Sequence, residues 1–244
     1  MKRAIVIGAS SGIGREVSRL LVAGGWHLGI AARRKDKLLE IKELAPSRVK
    51  VMRIDVTAAD APARLLALVR QLGGVSLFVY CAGIGKQNAG LDGGVELSTV
   101  AVNVKGFTAM VDTMFNYMAG NLGGDIAVVS SIAGTKGLGV APSYSATKAY
   151  QNTYIQALEQ LSNMRRLHIR FTDIRPGFVD TDLLAGSGNY PMLMDKADVA
   201  RELLRAVMSH RHVHVIDWRY RILVFFWRLI PDRLWRKLNI RNRK

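Results

Sequence analysis

The sequence predicts an α/β fold built on a parallel sheet. Short apolar runs alternate with segments of helical period along the whole chain. A glycine-rich turn separates the first run from the first helical segment. With 244 residues, 49% of them hydrophobic, the chain is long enough for one sizeable core, and a single α/β domain routinely reaches this size. Strands alternating with helices require βαβ units, whose crossovers are right-handed.

The elements follow in order. Ala4 to Ile7 is a buried strand ending at Gly8, and Ile13 to Ala23 a helix with Val17, Leu20 and Leu21 on one face, stopped by Gly24-Gly25. His27 to Ala32 is the second strand and Asp36 to Leu44 the second helix. Val49 to Ile54, Ala58 to Leu72 and Leu77 to Tyr80 repeat the unit as strand, helix and strand. Val95 to Met118 reads as one long helix, Asp125 to Ser130 as a strand, and Ser143 to Met164 as another long helix. His168 to Ile174 is a strand, Asp195 to Met208 a helix, and Val213 to Ile216 a short last strand. Between them, Asp180 to Met194 is irregular yet apolar, the pattern of a lid over a site.

Composition excludes several classes. The apolar content rules out disorder, and a lone Cys81 rules out a disulfide scaffold, CxxC redox chemistry and a multi-cysteine zinc site. Net charge is +16, and half of it lies in the last 26 residues: Arg219 to Lys244 holds nine basic side chains against Asp232. That asymmetry predicts one ordinary domain over residues 1–218 and a basic, apolar helical extension over 219–244. The apolar run after Met1-Lys2-Arg3 is too short for a signal-peptide core. The run Ile222 to Trp227 falls far short of the ~20 residues a membrane span needs. A cytoplasmic protein is expected, with membrane association on the cytoplasmic face as an option set by the extension.

Three constellations carry chemistry. Gly8-Ala9-Ser10-Ser11-Gly12-Ile13-Gly14 stands at the first strand-to-helix turn, where Gly8 allows the tight turn, Gly12 lets backbone approach a pyrophosphate, and Gly14 permits close helix packing. The following helix N-terminus offers unpaired N–H groups to phosphate. The second strand ends in Arg33-Arg34, where an NAD site would carry a carboxylate for the ribose 2′-OH. Two guanidinium groups match a 2′-phosphate instead, so NADP(H) is the expected cofactor. Asp55, after the third strand, either bonds an adenine amino group or caps the helix beginning near Thr57. Tyr144-Ser-Ala-Thr-Lys148 places a phenol and an ammonium one helical turn apart, a pairing that favours the phenolate and suits general acid/base work. Ser131 is delivered to the same carboxyl edge by the strand before it.

Taken together these residues resemble the short-chain dehydrogenase/reductase family. The resemblance rests on GASSGIG at Gly8 to Gly14, Cys81-Ala82-Gly83, Asn103, Ser131 in SSIAG, YSATK, and Pro176-Gly177 followed by Thr181. It implies a Rossmann-like, doubly wound, seven-stranded parallel sheet with helices on both faces. It also implies a catalytic tetrad. In it Tyr144 protonates the carbonyl oxygen, Ser131 orients it, Lys148 holds the nicotinamide ribose and lowers the tyrosine pKa, and Asn103 holds a relay water. The cofactor contacts expected from it are the loop residues with Ser10, Ser11 and Ile13, then Arg33, Arg34, Asp55, Val56 and the Cys81–Gly83 turn. Tyr144, Lys148, Pro176, Gly177, Val179 and Thr181 complete that set.

One departure stands out. Cys81 occupies the place of the family's usual asparagine, which puts that residue's bond to the neighbouring strand in doubt. His210, His212 and His214 alternate in the last strand region without a carboxylate pair beside them in sequence, a poor pattern for a metal, and no metal is expected. The extension mixes aromatic and aliphatic residues with Arg and Lys around Pro231, which divides it into two short helices. That is the composition of a helix lying in a bilayer interface; the alternative is packing on a sister subunit in a homo-dimer or homo-tetramer. Tryptophans among aliphatics are poor base-stacking platforms, so nucleic acid is not an expected partner.

The expected activity is NADPH-dependent reduction of a hydrophobic or lipid-like 3-keto compound to a secondary alcohol. Oxidation of an alcohol by the same residues is one alternative. A non-catalytic NADPH-binding regulator at a membrane is the other.

Overall fold

The structure, a computed structural model, describes residues 2–184 and 190–240. Seven strands form one parallel sheet: β1 (Arg3–Ile7), β2 (His27–Ala32), β3 (Val49–Arg53), β4 (Leu77–Tyr80), β5 (Gly124–Val129), β6 (Ile169–Pro176) and β7 (Val213–Ile216). Their order is β3-β2-β1-β4-β5-β6-β7. The chain winds outward from β1 to β3, then returns to lay β4 on the other side of β1. Where that order reverses, the carboxyl ends of β1 and β4 open a crevice, the place open α/β sheets reserve for ligands.

Alternation along each strand divides the core in two. Ala4 and Val6 of β1 face one side with Leu28, Ile30 and Val79, under helices α1 (Gly12–Ala23) and α7 (Lys196–Met208). Ile5 and Ile7 face the other side with Phe78, Tyr80 and Val128. That second face is covered by α3 (Ala61–Leu72), α5 (Phe107–Ala119) and α6 (Pro142–Met164). Apolar side chains on both sides of every central strand explain why the runs read as near-continuous hydrophobic stretches. Short α2 (Lys35–Lys42) packs on β2 and β3.

Most expected boundaries agree within a residue or two, with three informative differences. The helix expected over Val95 to Met118 is α4 (Gly93–Val100), then a wider π-helical turn over Ala101–Gly106, then α5. Such turns recur at functional sites, and this one carries Asn103. Helix α3 starts at Ala61 and not at Ala58, because Asp55 Oδ1 accepts from both the backbone N (3.0 Å) and the hydroxyl (2.8 Å) of Thr57 and holds that stretch as a turn. A four-residue 3₁₀ turn, Ile132–Thr135, follows β5. The C-terminal helices α8 (Trp218–Leu229) and α9 (Asp232–Trp235) flank Pro231. Of the expected lid, residues 185–189 lie outside the described residues, as do 241–244 of the extension.

Candidate active site

The glycine turn is tight for a measurable reason. Gly8 adopts φ +85°, and a Cβ there would stand 2.6 Å from the backbone N of Ala82. A Cβ on Gly14 would stand 2.4 Å from the Gly8 carbonyl oxygen. The β1 turn, the β4 turn and the first turn of α1 are therefore in backbone contact. Ser11 sits at the N-cap in an extended conformation, and its side chain makes no cap bond. The first-turn N–H groups of α1 consequently face the crevice with their hydrogen-bonding capacity and the positive end of the helix dipole.

Around this turn the predicted nucleotide residues divide into two groups. Arg34 Nη2 donates to Ser10 Oγ (3.3 Å) and pairs with Asp182 (3.4 Å), so its guanidinium leans over the glycine turn. Arg33 is exposed, and its carbonyl accepts from Arg53 Nε (3.3 Å). Thr181 bonds the Val179 carbonyl (3.3 Å) and its methyl faces Gly12, making the opposite wall. Val179 is held by a bridge to Met194, and Gly177, next to Pro176, packs beneath the ring of Tyr220. Ile13 packs on the core, and Val56 abuts Gly106 of the π-helical turn. Asp55 is committed to Thr57, whose backbone and side-chain bonds hold its carboxyl below the usual range. Its Oδ1 forms the turn, and both of its bonds leave Oδ2 out.

The four tetrad residues converge on the carboxyl edge of β4 and β5. Asn103 is fully buried: its Oδ1 accepts from Ile84 N (2.9 Å), while Nδ2 donates to Ile84 O (2.7 Å) and Thr147 Oγ1 (3.1 Å). Ser131 Oγ accepts from Ala133 N (3.0 Å), which fixes the oxygen and leaves its proton to donate. Gly83, from the β4 turn, lies against both Asn103 Oδ1 and Lys148 Nζ. Lys148 Nζ donates to Val129 O (3.1 Å) and Gln151 Oε1 (3.0 Å), and sits 5.8 Å from the centre of the Tyr144 ring.

That last geometry corrects an expectation. Tyr144 is not acidified by its lysine in this arrangement: burial pushes its phenol up, and only a hydrogen bond with Ser131 draws it down. The reason is the direction of Lys148, whose ammonium is turned to a strand carbonyl and an amide and not to the phenol oxygen. Burial pushes Lys148 itself down to about 8, opposed by the nearby Asp173 carboxylate. The site thus presents a protonated phenol beside a fixed serine hydroxyl, with a poised lysine beneath. A protonated phenol is a proton donor.

Three contributors escaped sequence reasoning. Gln151 Nε2 donates to the Asn103 carbonyl (2.9 Å) while its Oε1 takes Lys148, so it bridges two tetrad members. Its position three residues after Lys148, on the same helix face, was the available signal. Asp173 is buried on β6, between β5 and the edge strand β7, bonded by Ser130 and paired with Arg175 (2.7 Å); a carboxylate in an apolar strand was the signal there. Tyr220, assigned to the extension, instead sends its hydroxyl to the site: it accepts from Phe178 N (3.1 Å) and donates to Pro191 O (3.0 Å).

Cys81 keeps the strand register through its backbone N, which donates to Ile7 O (2.8 Å), and burial pushes its thiol up to about 12. A thiol that basic is inert. His210, His212 and His214 turn to three different carboxylates, Asp125, Glu159 and Glu202. Among the described residues no group of three or more His, Cys, Asp or Glu is placed to hold a metal ion.

The glycine turn lies at the switch point and the Tyr144–Lys148 pair of α6 reaches the same carboxyl edge from the other face of the sheet, the arrangement of a dinucleotide-dependent oxidoreductase of Rossmann-like fold. The chain belongs to the short-chain dehydrogenase family, whose family model, described as short chain dehydrogenase, matches residues 2–189. It is 30% identical to an uncharacterized oxidoreductase of Myxococcus xanthus (strain DK1622), over 96% of this chain and 94% of that one. It is 32% identical to an uncharacterized oxidoreductase of Staphylococcus aureus (strain N315), over 88% and 94%. Among solved structures it resembles a short-chain type dehydrogenase/reductase from Mycobacterium ulcerans at TM-score 0.77 and 27% identity, covering 88% of each chain. Actinorhodin polyketide ketoreductase, solved with NADPH, shares the fold at TM-score 0.76 and 24% identity, over 88% of this chain and 95% of that one. A nicotinamide nucleotide and a small-molecule substrate go with this family. The residues present fit such a cofactor: the glycines let the turn close tightly before α1, and the N-cap Ser11 side chain makes no bond that would occupy the first-turn N–H groups.

Proposed function

We propose that this protein is a carbonyl reductase that takes hydride from NADPH and delivers it to a hydrophobic ketone, a lipid-like 3-keto compound, giving a secondary alcohol. The observation that carries the proposal is the convergence of Tyr144, Lys148 and Asn103 on a Ser131 hydroxyl whose oxygen is already fixed. When bound, the nicotinamide supplies the hydride. This chain's residues supply the rest: Ser131 donates to the ketone oxygen, Tyr144 gives it a proton as negative charge develops, and Lys148 holds the ribose. Preference for the phosphorylated nucleotide rests on Arg34, which already reaches Ser10 of the glycine turn, with Arg33 beside it. The hydrophobic substrate rests on the apolar side chains of 178–194, Phe178 and Tyr190 among them, whose rings lie 4.6 Å apart. The reductive direction rests on Arg33 and Arg34, because pools of the phosphorylated nucleotide favour reduction.

In this reading residues 1–218 are the catalytic domain and 219–244 an extension. The enzyme works as a homo-dimer or homo-tetramer in the cytoplasm, with peripheral contact to a membrane. Cofactor oxidation measured against ketones of graded chain length, with NADPH and NADH compared, tests the proposal. Turnover rising with chain length and favouring NADPH supports it. A preference for NADH, or turnover confined to small polar ketones, overturns it.

A further inference from the structure

Helix α8 has two apolar faces, and only one is covered. Tyr220 and Val224 are buried in the core beneath it. Trp218, Ile222, Phe225, Phe226 and Leu229 point the other way, each between 48% and 62% exposed. At about 100° per residue these five fall within one arc of about 100° on the outer side of the helix. Arg221 and Arg228 stand along one margin of that arc, and Arg219 along the other. An ordinary surface helix turns such an arc to the core and its charges to water. Here the arc faces out.

We propose that this stripe docks on an anionic lipid bilayer, with α8 lying flat in the interface. The rings would enter the acyl boundary while the marginal arginines reach headgroup phosphates, as long basic side chains do at interfaces. Charge selects this occupant over a second copy of the chain. An isologous contact through α8 would bring two copies of residues 219–240 together, each with six basic residues against one acidic. Arg221, Arg228, Arg233 and Arg236 are exposed and make no salt bridge among the described residues. An anionic surface supplies the missing counter-charge. No helix among the described residues is long and apolar enough to cross a membrane, so the contact is peripheral.

The docked helix is also a wall of the active-site mouth. Its Tyr220 hydroxyl ties down Phe178 and Pro191, and Trp235 Nε1 of α9 donates to Gly137 O (2.7 Å) beyond the Ser131 turn. Binding through the outer stripe therefore sets the substrate mouth at the bilayer surface, where a membrane-dissolved ketone resides. This consequence rests on the reductase reading; the docking does not.

Co-sedimentation of the full chain with vesicles of phosphatidylcholine, with and without phosphatidylglycerol, tests it. Binding is expected to rise at least tenfold with phosphatidylglycerol and to weaken with salt. The double variant Phe225→Ser, Phe226→Ser, altered only at exposed positions, is expected to lose at least tenfold in vesicle binding. Its turnover of a water-soluble ketone should be unchanged, whereas its turnover of a bilayer-dissolved ketone falls. Equal vesicle binding by wild type and variant overturns the proposal. So does wild-type protein that ignores anionic vesicles while the variant alone dissociates into smaller species in the ultracentrifuge, since the stripe is then a contact between copies. Intact vesicle binding without turnover of any ketone would overturn the reductase reading and leave the docking standing.

Discussion

Raising the pH acts on one buried ammonium before it reaches the buried phenols. Burial holds Lys148 at about 8, against 10.5 for a free side chain. Each pKa unit is ~1.4 kcal/mol, so below pH 8 the folded chain carries a cost of roughly 3 kcal/mol for keeping this charge inside. The side chain is only 4% exposed, so solvent does not screen that cost away. Between the folded and unfolded values the unfolded chain holds a proton that the folded chain has released. The Lys148 contribution to stability therefore rises with pH across that window. Lys148→Met removes the group and the rise with it. Urea unfolding of both proteins, followed by tryptophan fluorescence at several pH values from 7 to 10, isolates the effect as a difference. The subtraction also offsets Cys81, Tyr80, Tyr144 and Tyr154, all raised by burial, which lower stability once the unfolded thiol ionises near pH ~8.5 and the unfolded phenols near pH ~10. Wild type should gain about 2 to 3 kcal/mol over the variant across the range. A flat difference refutes the assignment of a depressed lysine. In the wild-type enzyme, kcat/KM for reduction should fall as pH rises through about 8, where Lys148 loses its charge.

Other perturbations read other parts of the account. Arg34→Glu should raise KM for NADPH by about tenfold or more, the worth of a lost charge-assisted bond plus repulsion, and leave KM for NADH nearly unchanged; steady-state kinetics with both cofactors decides. Gly14→Ala drives a methyl to 2.4 Å from the Gly8 carbonyl oxygen, and should cost about 1–3 kcal/mol in urea unfolding; an unchanged midpoint would contradict the close packing. Gln151→Glu places a carboxylate against the Lys148 ammonium and should move the alkaline limb of the kcat/KM profile upward. Gln151→Leu removes an acceptor and should move it downward, whereas a bridge of purely structural importance would leave the limb in place.

The alternation of strands and helices was legible because each central strand is buried on both faces, and the bounds of β2, β4 and β7 agree residue for residue. What periodicity could not show were local departures from it. The π-helical turn at Ala101–Gly106 keeps the same apolar faces as an α-helix, so nothing in the pattern marks it, although it carries Asn103. The bonds of Asp55 Oδ1 to Thr57, which hold residues 55–60 as a turn, leave no mark on that pattern either. In the site, the spacing of Tyr144 and Lys148 fixed that both lie on one helix face. It did not fix where the ammonium points. That direction is set by the Val129 carbonyl of β5 and by Gln151, partners brought in by tertiary contact and by the next helical turn. The extension shows the same limit: Tyr220 looked like part of an appended tail, yet its ring packs on Gly177 and its hydroxyl holds the segment beside the site.

The most direct trial of the whole account is Tyr144→Phe, which deletes one oxygen and keeps the ring against Gly85. NADPH binding, followed by nucleotide fluorescence, should be unchanged. Ketone-dependent NADPH oxidation should fall by roughly 10²–10⁴-fold, the range for losing a positioned proton donor. A variant that still reduces ketones within a few-fold of the wild-type rate would contradict it.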